Sequence, residues 1–130
     1  MSSPLPKEYY YTETHEWVSF IDKRAFIGLT HYSTARMGLI IHIHPAARGM
    51  IQKGDTLCEI ESSKVIIDIK SPLSGTIEEI HEKILTSPEL ITRDPYSSWI
   101  ARIKLTDVGE LKELFPLTEY ESFVENLWKN

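Results

Sequence analysis

Residues 57–75 read LCEIESSKVIIDIKSPLSG, two apolar runs with a single lysine between them. Leu57 to Glu61 and Val65 to Lys70 are two strand-like runs, the second opening on three β-branched residues, and only Ser62-Ser63-Lys64 lies between them. The spacing predicts a strand over 56–61, a turn over 62–64 and a strand over 65–70. That is a hairpin with Lys64 at or beside its tip. Ser71-Pro72-Leu73-Ser74-Gly75 follows as a second turn signal. A turn lysine ordinarily does no more than keep the turn in water. Amine catalysis needs burial or a neighbouring cation, and a hairpin tip offers neither. An exposed tip does suit acylation by an enzyme that docks on it.

Short strand candidates fill the chain on both sides of this hairpin. YYYT (9–12) precedes EWVSFI (16–21) and AFIGLT (25–30), and the polar turn Asp22-Lys23-Arg24 makes the last two a hairpin. HYSTARMG (31–38) reads as a short helix stopped by Gly38, and LIIHIHP (39–45) as a strand ended by Pro45. AARGMIQKGD (46–55), with two glycines, reads as turns. TIEEIHEKI (76–84) reads as a strand, SPELITRDPYS (87–97) opens with the helix-start signal Ser87-Pro88-Glu89, and SWIARIKL (98–105) is a further strand. Past residue 106 the texture turns helical. TDVGELKELF (106–115) spaces Val108, Leu111, Leu114 and Phe115 for a helix, with Thr106 or Asp107 as cap. TEYESFVENLWK (118–129) repeats this with Tyr120, Phe123, Val124 and Leu127. Both should pack on the β core, because short helices are marginal alone. Residues 1–8, with Pro4 and Pro6, are an irregular lead-in. Nothing divides the chain, so one unit over 1–130 is expected, with a core at about 9–106 and helices at about 107–129.

At 130 residues, 42% hydrophobic and 25% charged, the chain can bury one substantial core. A net charge of −5, with no run of Lys and Arg longer than Lys23-Arg24, argues against nucleic acid and against an anionic membrane as partners. No apolar run approaches the about 18 residues of a membrane span. The N-terminus has neither an apolar signal core nor an Arg-rich transit pattern, so a cytoplasmic location is expected. The single cysteine, Cys58, excludes an intrachain disulfide and reads as a buried, inert thiol.

Other chemistry is thin. His15 and Glu16 in THEW (14–17) would point to opposite faces of a strand, one structural and one exposed. His42 and His44 in HIH (42–44) share a face at a spacing a metal can use. No third ligand is evident, although His31 and His81 exist, so they read as two surface histidines and no metal is expected. There is no nucleophile motif and no glycine-rich phosphate loop. No catalytic residues are assigned, and the chain reads as a carrier rather than an enzyme.

YTETHEWV (11–18), IGLTHYSTARMG (27–38), KGDTLCEIESSKVIIDIKSPLSGTI (53–77), SPELITRDPY (87–96) and WIARIKLTD (99–107) together resemble the H proteins of the glycine cleavage system. The most specific piece joins Glu61, Ser62, Lys64, Asp68, Ser71, Pro72, Ser74 and Gly75. The resemblance implies a mainly β fold, a barrel-sandwich hybrid of the lipoyl- and biotinyl-carrier type with short flanking helices and a C-terminal helical segment. It implies lipoate in amide linkage on Lys64, with Glu61, Ser62 and Ser63 beside it, attached by lipoate ligase or octanoyl transferase. The arm would take an aminomethyl group from glycine decarboxylase to the aminomethyltransferase and be reoxidised by dihydrolipoyl dehydrogenase. Thr14, Glu16 and Asp68 match positions that shield the loaded arm in a cleft. The chain departs from the family pattern at Gly38-Leu39, at HIHPAARG (42–49), at Ile66 and Ile67, at Thr92, and in a shorter loop between Pro95 and Trp99. Two alternatives stand beside the main reading: a lipoate relay outside glycine cleavage, and an unmodified binding module. A biotin carrier would have Met on each side of the lysine, where this chain has Ser63 and Val65.

Overall fold

The computed structural model describes residues 5–127. Among the described residues, nine strands form two antiparallel sheets. They are β1 (Tyr10–Tyr11), β2 (Glu16–Ile21), β3 (Arg24–Leu29), β4 (Ile40–Pro45), β5 (Gly49–Ile51), β6 (Thr56–Ser62), β7 (Ile66–Lys70), β8 (Gly75–Ile80) and β9 (Ala101–Leu105). The larger sheet runs β1-β2-β3-β9-β8-β5 and the smaller β4-β6-β7. In the chain α1 (His31–Thr34) joins β3 to β4, α2 (Glu82–Thr86) and α3 (Leu90–Arg93) join β8 to β9, and a 3-10 helix (Val108–Glu113) leads to α4 (Leu117–Leu127). No helix among the described residues is long and apolar enough to cross a membrane.

The β2–β3 hairpin closes with Ile21 opposite Arg24, and both loop residues take positive φ (Asp22 52°, Lys23 67°). That geometry matches the strand twist. Alternation along β2 sends Glu16, Val18 and Phe20 one way and Trp17, Ser19 and Ile21 the other. Val18 joins the main core, which fills the space between the sheets with Ile27, Leu29, Leu57, Ile60, Ile69 and Ile103. Trp17 joins a second cluster on the outer face, where Leu5, Tyr11, Tyr120 and Val124 are also buried. Residue 28 is glycine for a packing reason: it sits opposite Trp17, and a Cβ there would lie 2.4 Å from the indole. The SPLSG turn is a buried joint. A Cβ on Gly75 would meet the Lys104 carbonyl at 2.2 Å, and Ser74 ties Glu110 of the 3-10 helix down through its N–H (2.7 Å) and hydroxyl (2.9 Å).

Several elements differ from the sequence expectation. Residues 49–51, expected as a turn, form β5 and pair with β8. The strand expected over 76–84 ends at Ile80, and Ile84 is buried from α2 instead. Ser87 does not cap with its side chain; α3 starts at Leu90 with no side-chain cap. The helix expected over 106–115 is a 3-10 helix, which Asp107 caps by accepting from the Gly109 N–H at 2.9 Å. Val108 on it is exposed and only Leu111 is buried. The expected final helix is α4, and residues 128–129 of that expectation lie outside the described residues, as do residues 1–4 of the lead-in.

Candidate functional site

The β6–β7 hairpin presents residues 63–65 as its tip, with Lys64 exposed. Ser62, itself buried, organises the turn. Its Oγ accepts from the backbone N–H groups of Lys64 (3.3 Å) and Val65 (3.1 Å) and donates to the Val65 carbonyl at 3.0 Å. Serine favours turns because its hydroxyl can replace a backbone partner in this way. A second brace comes from the loop after α1. Ser63 donates its N–H to the Leu39 carbonyl (2.8 Å), and its hydroxyl accepts from the Leu39 N–H (3.1 Å). Gly38, at φ 75°, lets that loop approach: a Cβ there would be 2.8 Å from Ser63 Oγ and 3.3 Å from Lys64 Cγ.

From Val65 a groove of about 700 Å³ runs along the edge strand β7. Val65, Ile66 and Phe123 give it apolar walls, and Thr14, Glu16 and Asp68 supply polar groups together with Glu13, Ser33 and Arg36. Of the residues singled out in sequence, the fold therefore brings Thr14, Glu16 and Asp68 together, places Lys64 at the end of the hairpin that bounds them, and uses Ser62 and Ser63 to shape the turn. Glu61 stands apart from the groove lining. Its Oε1 lies 3.4 Å from both His42 Nδ1 and His44 Nε2. This is the third donor that sequence reasoning did not find for the histidine pair. His31 and His81 lie elsewhere, bonded to Tyr96 and to the Trp99 carbonyl.

The expectation that one of His15 and Glu16 is exposed is wrong: both are buried. His15 precedes the strand and takes φ 73°, so strand alternation does not govern it. Its Nδ1 shares a 2.7 Å hydrogen bond with the Tyr120 hydroxyl, which also meets Thr30 Oγ1 at 3.0 Å. Burial, with Arg36 nearby, holds the His15 imidazole below its usual range. Glu16 Oε1 accepts from Thr12 Oγ1 (2.9 Å) and Thr14 Oγ1 (2.7 Å). Burial holds the Glu16 carboxyl above its usual range, against those two donations, which favour the charged form. Cys58 is buried as expected, and burial pushes its thiol up to about 12, which makes it inert.

A raised carboxyl pKa has a definite sign. Its stabilising contribution is complete below the unfolded value of 4.5 and is lost as pH rises through the folded value. Glu16→Gln removes that loss and keeps an acceptor for both threonines. The variant is expected to melt higher than wild type at pH 8, with the gap closing towards about pH 4. Thermal melts at the two pH values check this; a variant that melts lower at pH 8 would mean that the ionised carboxylate is the stable form. His15 has the opposite sign, losing stability as pH falls below 6.5, but it is common to both proteins and cancels in the comparison.

The sequence profile of the glycine cleavage H-protein family matches residues 9–127. The chain belongs to the glycine cleavage H-protein family. Within that family it is 38% identical over 121 residues to the probable glycine cleavage system H protein of Pyrococcus furiosus, covering 91% of this chain and 90% of the relative. It is 40% identical over 123 residues to the glycine cleavage system H protein of Clostridioides difficile, covering 93% and 98%. A crystal structure of the H protein from Mycobacterium marinum superposes with a TM-score of 0.81 at 28% identity, covering 91% of this chain and 97% of that one. The two sheets, short helices and C-terminal helix are thus the H-protein form of the lipoyl-carrier barrel-sandwich fold.

Proposed function

We propose that the chain is the lipoyl carrier of a glycine cleavage system, with Lys64 as its attachment point. The observation that carries this reading is an exposed lysine on a doubly braced tip, opening onto a groove apolar enough for an alkyl arm and polar at Thr14, Glu16 and Asp68. Lipoate, when bound, supplies a dithiolane on a long flexible arm that carries an aminomethyl group from glycine decarboxylase to the aminomethyltransferase. The chain's own residues hold and shelter. Ser62 and Ser63 fix the backbone from which the amine projects, and Gly38 leaves room for its stem. Asp68, Thr14 and Glu16 offer a carboxylate, a hydroxyl and a titrating carboxyl to a cationic nitrogen entering the groove. Ile66 and Phe123 line the groove and would give the arm apolar surface to lie against. Catalysis belongs to the decarboxylase, the aminomethyltransferase and dihydrolipoyl dehydrogenase; the chain presents the arm to each.

The test is incubation with lipoate, ATP and a lipoate ligase, followed by intact mass and peptide mapping. One lipoyl addition in the peptide containing Lys64 is the expected result. A folded protein that takes up nothing would return the chain to the reading of an unmodified binding module.

A further inference from the structure

We propose that His42, His44 and Glu61 form a surface site for a borderline divalent cation of the zinc class. The site is a product of register. Ile40 pairs with Ser62, but a bulge at Ile41 shifts the ladder so that His42 pairs with Glu61. Without that extra residue, strict alternation would turn His42 and His44 inward and Ile43 outward. With it, Ile43 is buried at 6% exposure and both imidazoles stand on the outer face across from Glu61.

The donor set and its spacing suit a zinc-class ion. The donor atoms of the three residues all lie within 4.8 Å of one another. Bonds of about 2.0–2.1 Å in a tetrahedron require donor separations of roughly 3.3–3.4 Å. His42 Nδ1 and His44 Nε2 each lie 3.4 Å from Glu61 Oε1, so both imidazole–carboxylate edges already have the required length. Only the two imidazoles must draw together, and exposed side chains do this by small rotations. Two neutral imidazoles with one carboxylate favour zinc, cobalt or nickel over magnesium and calcium, which select oxygen ligands. Glu59, opposite His44, and Asp68, opposite Glu59, make the same face negative, and Lys70 is the cation further along β7. Three protein ligands leave a coordination position open to water or to a soft donor brought from outside. The site stands on β4 and β6, with Glu61 opposite Ile66 of the groove wall.

The experiment uses the full chain without an affinity tag, stripped with chelator, titrated with zinc chloride by calorimetry and with cobalt chloride by visible absorption. One equivalent is expected to bind, with a cobalt d–d band of low-coordinate intensity, and excess magnesium should not compete. His42→Ala and His44→Ala should each weaken binding by more than about tenfold, the smallest cost usual for a mere outer-shell partner. The double variant should abolish binding, with its melting temperature unchanged because both side chains are exposed. Absence of stoichiometric binding to the wild-type chain would overturn the proposal. So would binding that survives in the double variant, which would place the ion at another donor such as His31 or His81.

Discussion

Lys64→Arg is expected to accept no lipoate while melting at the wild-type temperature. Arginine keeps the charge and nearly the reach of lysine, but its guanidinium holds its proton and is no acyl acceptor. What Lys64 gives the fold is its backbone N–H, bonded to Ser62 Oγ at 3.3 Å, and that survives the substitution. The side chain is exposed, so the stability change should stay within about 0.5 kcal/mol. Intact mass after ligase treatment, beside a thermal melt, reads both quantities on one sample. Residual loading would mean that another lysine on this face, Lys70 first, competes for the ligase. A collapse of the melt would mean that the lysine stem over Gly38 stabilises the turn.

Trp17→Ala is expected to remove about 3–5 kcal/mol, the usual range for truncating a buried tryptophan. Trp17 is 1% exposed, packs its ring 4.8 Å from that of Tyr9, and donates Nε1–H to the Pro95 carbonyl at 2.9 Å. Truncation opens a cavity against Gly28, whose missing side chain leaves nothing to collapse into the space. Against a total of about 5–15 kcal/mol this is severe, and should lower the melting temperature by roughly 10–20 °C. Urea unfolding with unchanged slope and a lower midpoint would report the same loss. A loss below about 1 kcal/mol would show that the outer cluster is not what fastens α4 to the larger sheet. The groove depends on that fastening, since Phe123 of α4 forms part of its wall.

The hairpin around Lys64 was legible because β-branched runs and a serine pair leave few other local solutions. The turn at Asp22-Lys23 was legible for the same kind of reason. What escaped was whatever a distant segment decides. Residues 49–51 carry no alternation, with Gly49 and Met50 exposed, and become a strand only because β8 lies beside them. Ile77, Ile80 and Ile84 fit a strand or a helix, and tertiary packing broke the run at His81. His15 is buried by Tyr120, 105 residues later. Glu61 became a neighbour of two histidines through a one-residue bulge, which no local pattern announces. Within the candidate site, Thr14, Glu16 and Asp68 were found through resemblance. Their convergence on one groove rests on loop geometry that composition and periodicity do not encode.

The clamp between Leu39 and Ser63 has a mechanical meaning. An isolated two-stranded hairpin sways at its tip, but this one is pinned from the side by a loop that enters from a different part of the chain. The Lys64 backbone is therefore a stationary hub. Any group joined to its side chain sweeps a volume set by its own length and rotatable bonds, with no contribution from a bending support, and an approaching partner finds the hub in the same place each time.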